Sequence, residues 1–358
     1  MAKLCLSMVK ILLISTLLIL AVIFGFLLFK KTSEIEIVPE ISKESLFDPS
    51  SLDWQVATSS ASWQERDSHA VAVFKNKIWL IGGLNGNGHV IKENLVEYWK
   101  APHFSDIWNS ENGKDWQLIT DKAPWGERRS AQLIVFKDKL WLMGGWGPKS
   151  GYKNDIWVSE DGISWTKAIS SAAWPGREGH QVVVFKDQLW LLGGVNYDTR
   201  ETKNDAWHSA DGINWQEATG TASWAPRWDH AAVVFKSKVW LTGGMDLKNN
   251  VFGDVWSSED GANWKLVSNS PPWRARQGHN MVEYKDRLWI LGRFNDKENG
   301  GENDVWFSKN GVVWQKTEKN PDWLGREDSA AVVFQDKIWV FGGMNSNWEW
   351  TGDVIIYF

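Results

Sequence analysis

Six arginines hold the same place in a repeated phrase: Arg66, Arg128, Arg177, Arg227, Arg276 and Arg326, each three residues after a Trp. A guanidinium presents a fork of donors that fits a carboxylate, so such a ring would suit an anionic ligand. Six aspartates recur as often, at Asp106, Asp155, Asp205, Asp254, Asp304 and Asp353. Equal numbers in the same repeat favour Arg–Asp pairing inside the scaffold over a free arginine ring. His69, His180, His230 and His279 follow their arginines by three residues, where the other two copies carry Ala131 and Ser329. With no thiolate or acidic partner in that position, they are expected to be hydrogen-bonded structural histidines, and no metal or other cofactor is expected. Paired carboxylates, Glu327 with Asp328 and Glu302 with Asp304, leave their spatial separation open. The chain carries no nucleophile elbow, P-loop or zinc motif.

Residues that break the repeat are better candidates for ligand contact. Of 28 tryptophans, 23 recur once per copy, and their expected role is packing. The five left over are Trp99, Trp146, Trp228, Trp348 and Trp350, joined by Tyr98 and by the unmatched Arg129, Arg200 and Arg293. These nine form the predicted ligand-binding set. Aromatic side chains on loops held by a rigid scaffold are suited to recognition.

The repeat that must position them is counted from its Gly-Gly pairs. First glycines fall at Gly82, Gly144, Gly193, Gly243 and Gly342, with a Gly292-Arg293 variant, giving steps of 62, 49, 50, 49 and 50. A period near 50 with four short strands per unit predicts six blades of a propeller. In the third copy, Gln181 to Phe185 and Gln188 to Leu192 read as buried strands, Asn204 to Trp207 starts a third, and Asp211-Gly212 turns into a fourth at Trp215. The Asp-Gly or Asn-Gly at that turn predicts a two-residue hairpin with positive φ at both central positions. The last copy stops at a third strand, Gly352 to Phe358, and Asp53 to Ala57 reads as a fourth strand with nothing before it, so the two are expected to pair and close the ring. Between Gly-Gly and the repeat Asp, copies two to six have nine or ten residues and copy one has 22, Leu84 to Ser105, a candidate lid or recognition loop.

The Gly-Gly closing the second strand, the aromatic in the third and the Trp in the fourth resemble the kelch repeat. Residues 51–358 therefore resemble a six-bladed kelch or galactose-oxidase-like propeller. Ser159 to Trp165 is also similar to the Asp-box hairpin of sialidases, a structural element there too. Galactose oxidase's copper site requires a Tyr-Cys crosslink and His ligands, and the only Cys is Cys5, outside the domain, so that chemistry is excluded. Two implications of the resemblance remain: binding of a glycan or protein ligand, or a sugar-active enzyme such as a sialic-acid epimerase (mutarotase) or a glycosidase at the channel mouth.

Ahead of the propeller, residues 11–29 contain no charge and span roughly 28 Å as a helix, enough for a bilayer core. The reading is a short tail over 1–10, a transmembrane helix over 11–29, an acidic linker over 30–50 and the propeller over 51–358. No small-residue cleavage site follows Phe29, which favours a retained anchor over a signal peptide, and Cys5 lies on the wrong side for a lipoprotein. The expectation is a single-pass membrane protein with the propeller outside the cytoplasm, although Lys30 and Lys31 nearly balance Lys3 and Lys10. A net charge of -5 without a basic cluster in the domain excludes nucleic acid as a partner.

Overall fold

The structure is a computed structural model that describes residues 48–51, 53–92, 95–293, 302–319 and 323–358. The apolar segment 11–29 lies outside the described residues. Among these no helix is long and apolar enough to cross a membrane.

Short runs of four or five residues with apolar centres form the innermost strands, from Ala70–Phe74 in blade one to Ala330–Phe334 in blade six. Each is joined by a tight turn to a second strand such as Lys77–Ile81 or Lys337–Phe341. Third and fourth strands follow in order, giving six four-stranded antiparallel sheets. In blade six the outer strand is Trp54–Thr58, which pairs with Val354–Tyr357 from the other end of the domain, Trp54 opposite Tyr357. This is the closure expected from the two incomplete copies, and it leaves no unpaired blade.

The hairpin expectation is corrected. Positive φ at both central positions belongs to the turn between first and second strands, as at Lys75-Asn76 (48° and 57°) and Lys186-Asp187 (51° and 57°). At the third-to-fourth turn only the glycine is left-handed, for example Gly162 at 81°. Ser159 Oγ accepts its N–H there, and Asp161 Oδ1 accepts those of Ile163 and Ser164. The Asp folds the turn by accepting backbone donors, so it needs no positive φ of its own.

The recurring tryptophans interlock the blades. The Trp79 indole donates to Phe74 O at 3.0 Å and lies over Gly162 of the next blade, where an added Cβ would fall 2.4 Å from the ring. The same arrangement joins Trp141 to Gly212, Trp190 to Gly261, Trp240 to Gly311 and Trp339 to Gly113. The apolar core is accordingly divided into clusters between neighbouring sheets, such as Trp79, Trp125, Trp157 and Leu140.

Candidate functional site

The arginine ring is consumed by the scaffold. Arg177 Nη1 and Nη2 bond the two oxygens of Asp205 at 2.6 and 2.9 Å, and Nη1 also donates to Gly193 O at 2.8 Å. Asp205 Oδ2 in turn accepts the Trp207 indole at 2.9 Å. All six arginines make the same paired contact with their aspartates and are buried. The Asp-x-Trp of the repeat is explained by this triad. A low-dielectric, hydrogen-bonded pair of this kind offers nothing to a ligand.

The histidines beside that ring are buried between blades. Burial and then the neighbouring Arg177 push His180 down to about 3, and His69 likewise falls to about 3 through burial and Arg66. The expected hydrogen bonding holds for His279, whose Nε2 lies 2.9 Å from Thr242 Oγ1, but the ring nitrogens of His180 and His230 have no partner. They are neutral packing groups, desolvated against Trp174 and Trp224. Among the described residues no group of three or more His, Cys, Asp or Glu is arranged to hold a metal.

Two residues beyond each arginine the backbone turns left-handed, at Ser68, Ser130, Gly179, Asp229, Gly278 and Asp328 (49° to 63°). That conformation directs N–H and C=O around the axis. Ser130 donates to Ser68 O, Asp229 to Gly179 O, Gly278 to Asp229 O, Asp328 to Gly278 O, and Ser68 to Asp328 O, at 2.7 to 3.0 Å. A belt of backbone hydrogen bonds thus constricts the channel. Beneath it lies a cavity of about 190 Å³ lined by Ser68, Ser130, Asp229 and Asp328, among others.

Above the belt stand the residues that follow each arginine directly: Asp67, Arg129, Glu178, Trp228, Gln277 and Glu327. Five of these bridge to the residue after the Gly-Gly pair, as Arg129 does to Trp146 and Glu178 to Val195. Arg129 bonds Glu178 through Nε at 2.9 Å and Nη2 at 3.2 Å. Its guanidinium carbon lies 4.9 Å from the Trp146 ring centre and 5.2 Å from that of Tyr98. Burial works against its charge, but Glu178 outweighs it and raises the Arg129 pKa further.

Four carboxyl groups feel this one guanidinium, Glu178 by direct contact and Asp67, Asp229 and Asp328 through its charge. Burial, then Asp328, pushes Asp67 well above the usual carboxylate range; burial, then Asp328 and Glu178, does the same to Asp229. Burial raises Asp328 to about 6, tempered by the Ser68 hydroxyl 3.0 Å from its Oδ2. Asp229 and Asp328 keep some accessible surface, and that surface faces the cavity under the belt. Tyr98, Tyr152 and Tyr197 are all raised, by burial first and by Glu327 or Glu178 second.

The nine sequence candidates separate into groups. Tyr98, Arg129, Trp146 and Trp350 come together, Tyr98 meeting the Trp350 ring edge-on at 6.4 Å. Trp228 lies at the mouth against Tyr197, 5.7 Å between ring centres. Trp350 is 2 % exposed, enclosed with Leu84, Val96, Ala101 and Met344, and Trp348 packs on the same cluster. The long loop of blade one is therefore fastened to blade six by an apolar cluster of its own. Trp99, 63 % exposed, is not among the residues of that cluster, and Arg200 is exposed at the tip of the blade-three hairpin between Asn196 and Glu201. Arg293 pairs with Glu302 in blade five, and its side chain lies outside the described residues. Sequence reasoning missed Asp67, Glu178, Asp229 and Gln277, and it left Glu327 and Asp328 without a place. Aligning the six copies would have found them, since the two positions after the invariant arginine read Asp-Ser, Arg-Ser, Glu-Gly, Trp-Asp, Gln-Gly and Glu-Asp.

Six four-stranded blades closed by a strand from the far end of the domain, with varied residues confined to one mouth, define a six-bladed β-propeller of the loop-bearing scaffold type. The KLHDC2/KLHL20/DRC7 Kelch-repeats domain matches residues 179–357, half of the chain, and the chain belongs to the kelch-repeat family. No curated protein matches its sequence. Among solved structures, the one described as "Structure of YjhT" superposes with a TM-score of 0.67 at 16 % identity, covering 84 % of this chain and 96 % of that chain. That likeness is one of fold.

Proposed function

We propose that this chain is a membrane-anchored kelch propeller that binds a protein or glycan ligand outside the cytoplasm. Its site is the mouth framed by Tyr98, Arg129, Trp146 and Trp228. One observation carries the reading: the periodic arginines and histidines are engaged within the scaffold, and what varies between blades is an aromatic and acidic mouth. Indole and phenol rings around a polar centre supply contact area at low entropic cost. Anchoring is supported by the uncharged run 11–29. Protein and glycan array binding by the full chain tests the first part, with Trp146→Ala and Trp228→Ala expected to abolish it; retention in both variants refutes the mouth. Extraction of the chain from membranes by carbonate would refute the anchor.

A second reading, a sugar-active enzyme of the sialic-acid epimerase or glycosidase type, is favoured by one feature. Asp328, raised to about 6, stands near Asp67 and Asp229, and carboxyl groups poised near neutrality suit general acid–base work. The pairing of Arg129 with Glu178 counts against an anionic sugar, because the charge a carboxylate would seek is already matched. Turnover of sialic acid or of aryl glycosides, lost in Asp328→Asn with binding retained, would establish it.

A further inference from the structure

The end of the propeller opposite the mouth carries the turns between third and fourth strands, because each third strand starts at the mouth and runs away from it. In blades two, three and five the residue after the turn glycine is apolar and exposed: Ile163, Ile213 and Val312, the last followed by Val313, at 48 to 65 %. The fold does not call for them. The same place after Gly113 and Gly261 holds Lys114 and Ala262, and all five turns are made alike by a serine hydroxyl and an Asp or Asn oxygen that accept backbone donors. Turn tips favour Gly, Asn, Asp and Ser, so apolar tips in three blades on one face are a feature the repeat leaves unexplained. Charges around them are matched, Lys77 bonding Glu111 at 2.9 Å, Lys139 bonding Glu160 at 2.8 Å and Lys238 bonding Glu259 at 2.9 Å. Apolar tips set among ion pairs are complementary to a lipid surface, where paired headgroup charges cover hydrocarbon.

The outer strand of blade six begins at this end, with Trp54 opposite Tyr357. Residues just before it are tied to the outer edge between blades five and six: the Tyr357 hydroxyl donates to Pro49 O at 3.1 Å, and the Glu318 N–H donates to Ser50 O at 3.4 Å. The chain outside the described residues continues from Asp48, with residues 30–47 between it and the uncharged run 11–29. Those 18 residues can extend at most about 60 Å, so a domain tethered through them stays concentrated beside a bilayer and keeps a contact too weak to hold alone.

On the reading that residues 11–29 anchor the chain, we propose that this face rests on the bilayer, with Ile163, Ile213, Val312 and Val313 entering the lipid interface. The apolar side chains leave water there while the ion pairs stay among the headgroups. The mouth then opens away from the membrane, toward ligands free in the surrounding medium or carried on another surface.

The test uses the full chain with Cys5→Ser in phosphatidylcholine vesicles, carrying one nitrobenzoxadiazole-labelled cysteine. The label sits at Lys114→Cys on the far face or at Lys149→Cys on a mouth loop, both exposed positions. Nitroxide on the lipid headgroups is expected to quench the Lys114→Cys label about threefold or more over the Lys149→Cys label. Ile163→Ser, Ile213→Ser, Val312→Ser and Val313→Ser combined should bring the two labels to about the same quenching, with thermal melting to show that the variant folds. Equal quenching of the two labels, or stronger quenching of Lys149→Cys, in vesicles that keep the chain through carbonate overturns the proposal and leaves the anchor standing. Quenching of Lys114→Cys that the four substitutions do not lower also overturns it. Release of the chain by carbonate refutes the anchor, and quenching measured before release then decides the face by itself. If Lys114→Cys is quenched there and the four substitutions abolish it, the lipid contact stands without the anchor; if it is not quenched, both fall.

Discussion

Trp79 of blade one rests face-down on Gly162 of blade two, close enough that a Cβ at Gly162 would fall 2.4 Å from the indole. The contact ties a turn on one sheet to a strand on the next. Gly162 also sits at a φ of 81°. Gly162→Ala therefore meets a steric and a conformational obstacle at once and should cost more than about 3 kcal/mol. Gly126→Ala is the control, with a φ of 78° and no atom within 4 Å of the new Cβ, and only the conformational cost of about 1–2 kcal/mol is expected. Urea midpoints of the two variants separate the terms, and equal losses would remove the interlock from the account.

Asp205→Ala should be among the most damaging single changes in the domain. It strips Arg177, 1 % exposed, of both its bonds to the Asp205 carboxylate and frees the Trp207 indole. Removal of one member of a buried pair costs about 3–5 kcal/mol, measured by chemical denaturation. A loss below about 1 kcal/mol would show that the pair is solvated in solution.

The two unmatched tryptophans of the loop clusters should behave oppositely. Trp350→Ala opens a cavity among Leu84, Val96 and Met344 and should cost about 3–5 kcal/mol. Trp99→Ala, at an exposed position, should stay within about 0.5 kcal/mol of the parent. Any binding defect of Trp99→Ala therefore reports contact with ligand, whereas one in Trp350→Ala reports the fold.

Acid should weaken the fold through its histidines. His69 and His180 titrate near 3 in the folded chain and near 6.5 when unfolded, so between those values the unfolded state holds more protons and stability is lost as pH falls. His180→Ala, which installs the residue type that blade two carries as Ala131, should flatten the decline of the denaturation midpoint between pH 6.5 and 4. An unchanged slope would place the acid sensitivity elsewhere.

Asp328 has the opposite sign. Its carboxyl is raised to about 6 against about 3.8 unfolded, so the folded state holds the extra proton and stability is lost as pH rises through that window. Asp328→Asn should be more stable than the parent at pH 8 and no more stable at pH 3.5. A stabilisation equal at both values would rule out the titration.

The contrast between Arg177 and Glu178, neighbours in sequence, shows what the chain discloses. Arg177 recurs in six copies with its Asp, and that periodicity made strand count, closure and pairing readable. Glu178 differs from its counterparts, and its meaning depends on Arg129, 49 residues earlier and on the next blade. A contact between the mouths of neighbouring blades has no trace in spacing along the chain. The same holds for Trp350, which breaks the repeat as Trp99 does but is enclosed by Leu84 and Val96 from a different blade. Breaking the pattern marks a residue as local in purpose without saying whether that purpose is contact or packing.

The pairing of Trp54–Thr58 with Val354–Tyr357 also imposes an order in time. A ribosome makes the outer strand of blade six some 300 residues before the partner it needs. Blades one to five can assemble as they emerge, but the sixth waits for the last turn of synthesis, and until then the early strand is an unpaired edge. Completion of the domain is thus a single late event between the most distant parts of the sequence, a joining step of high contact order on which the whole circle depends.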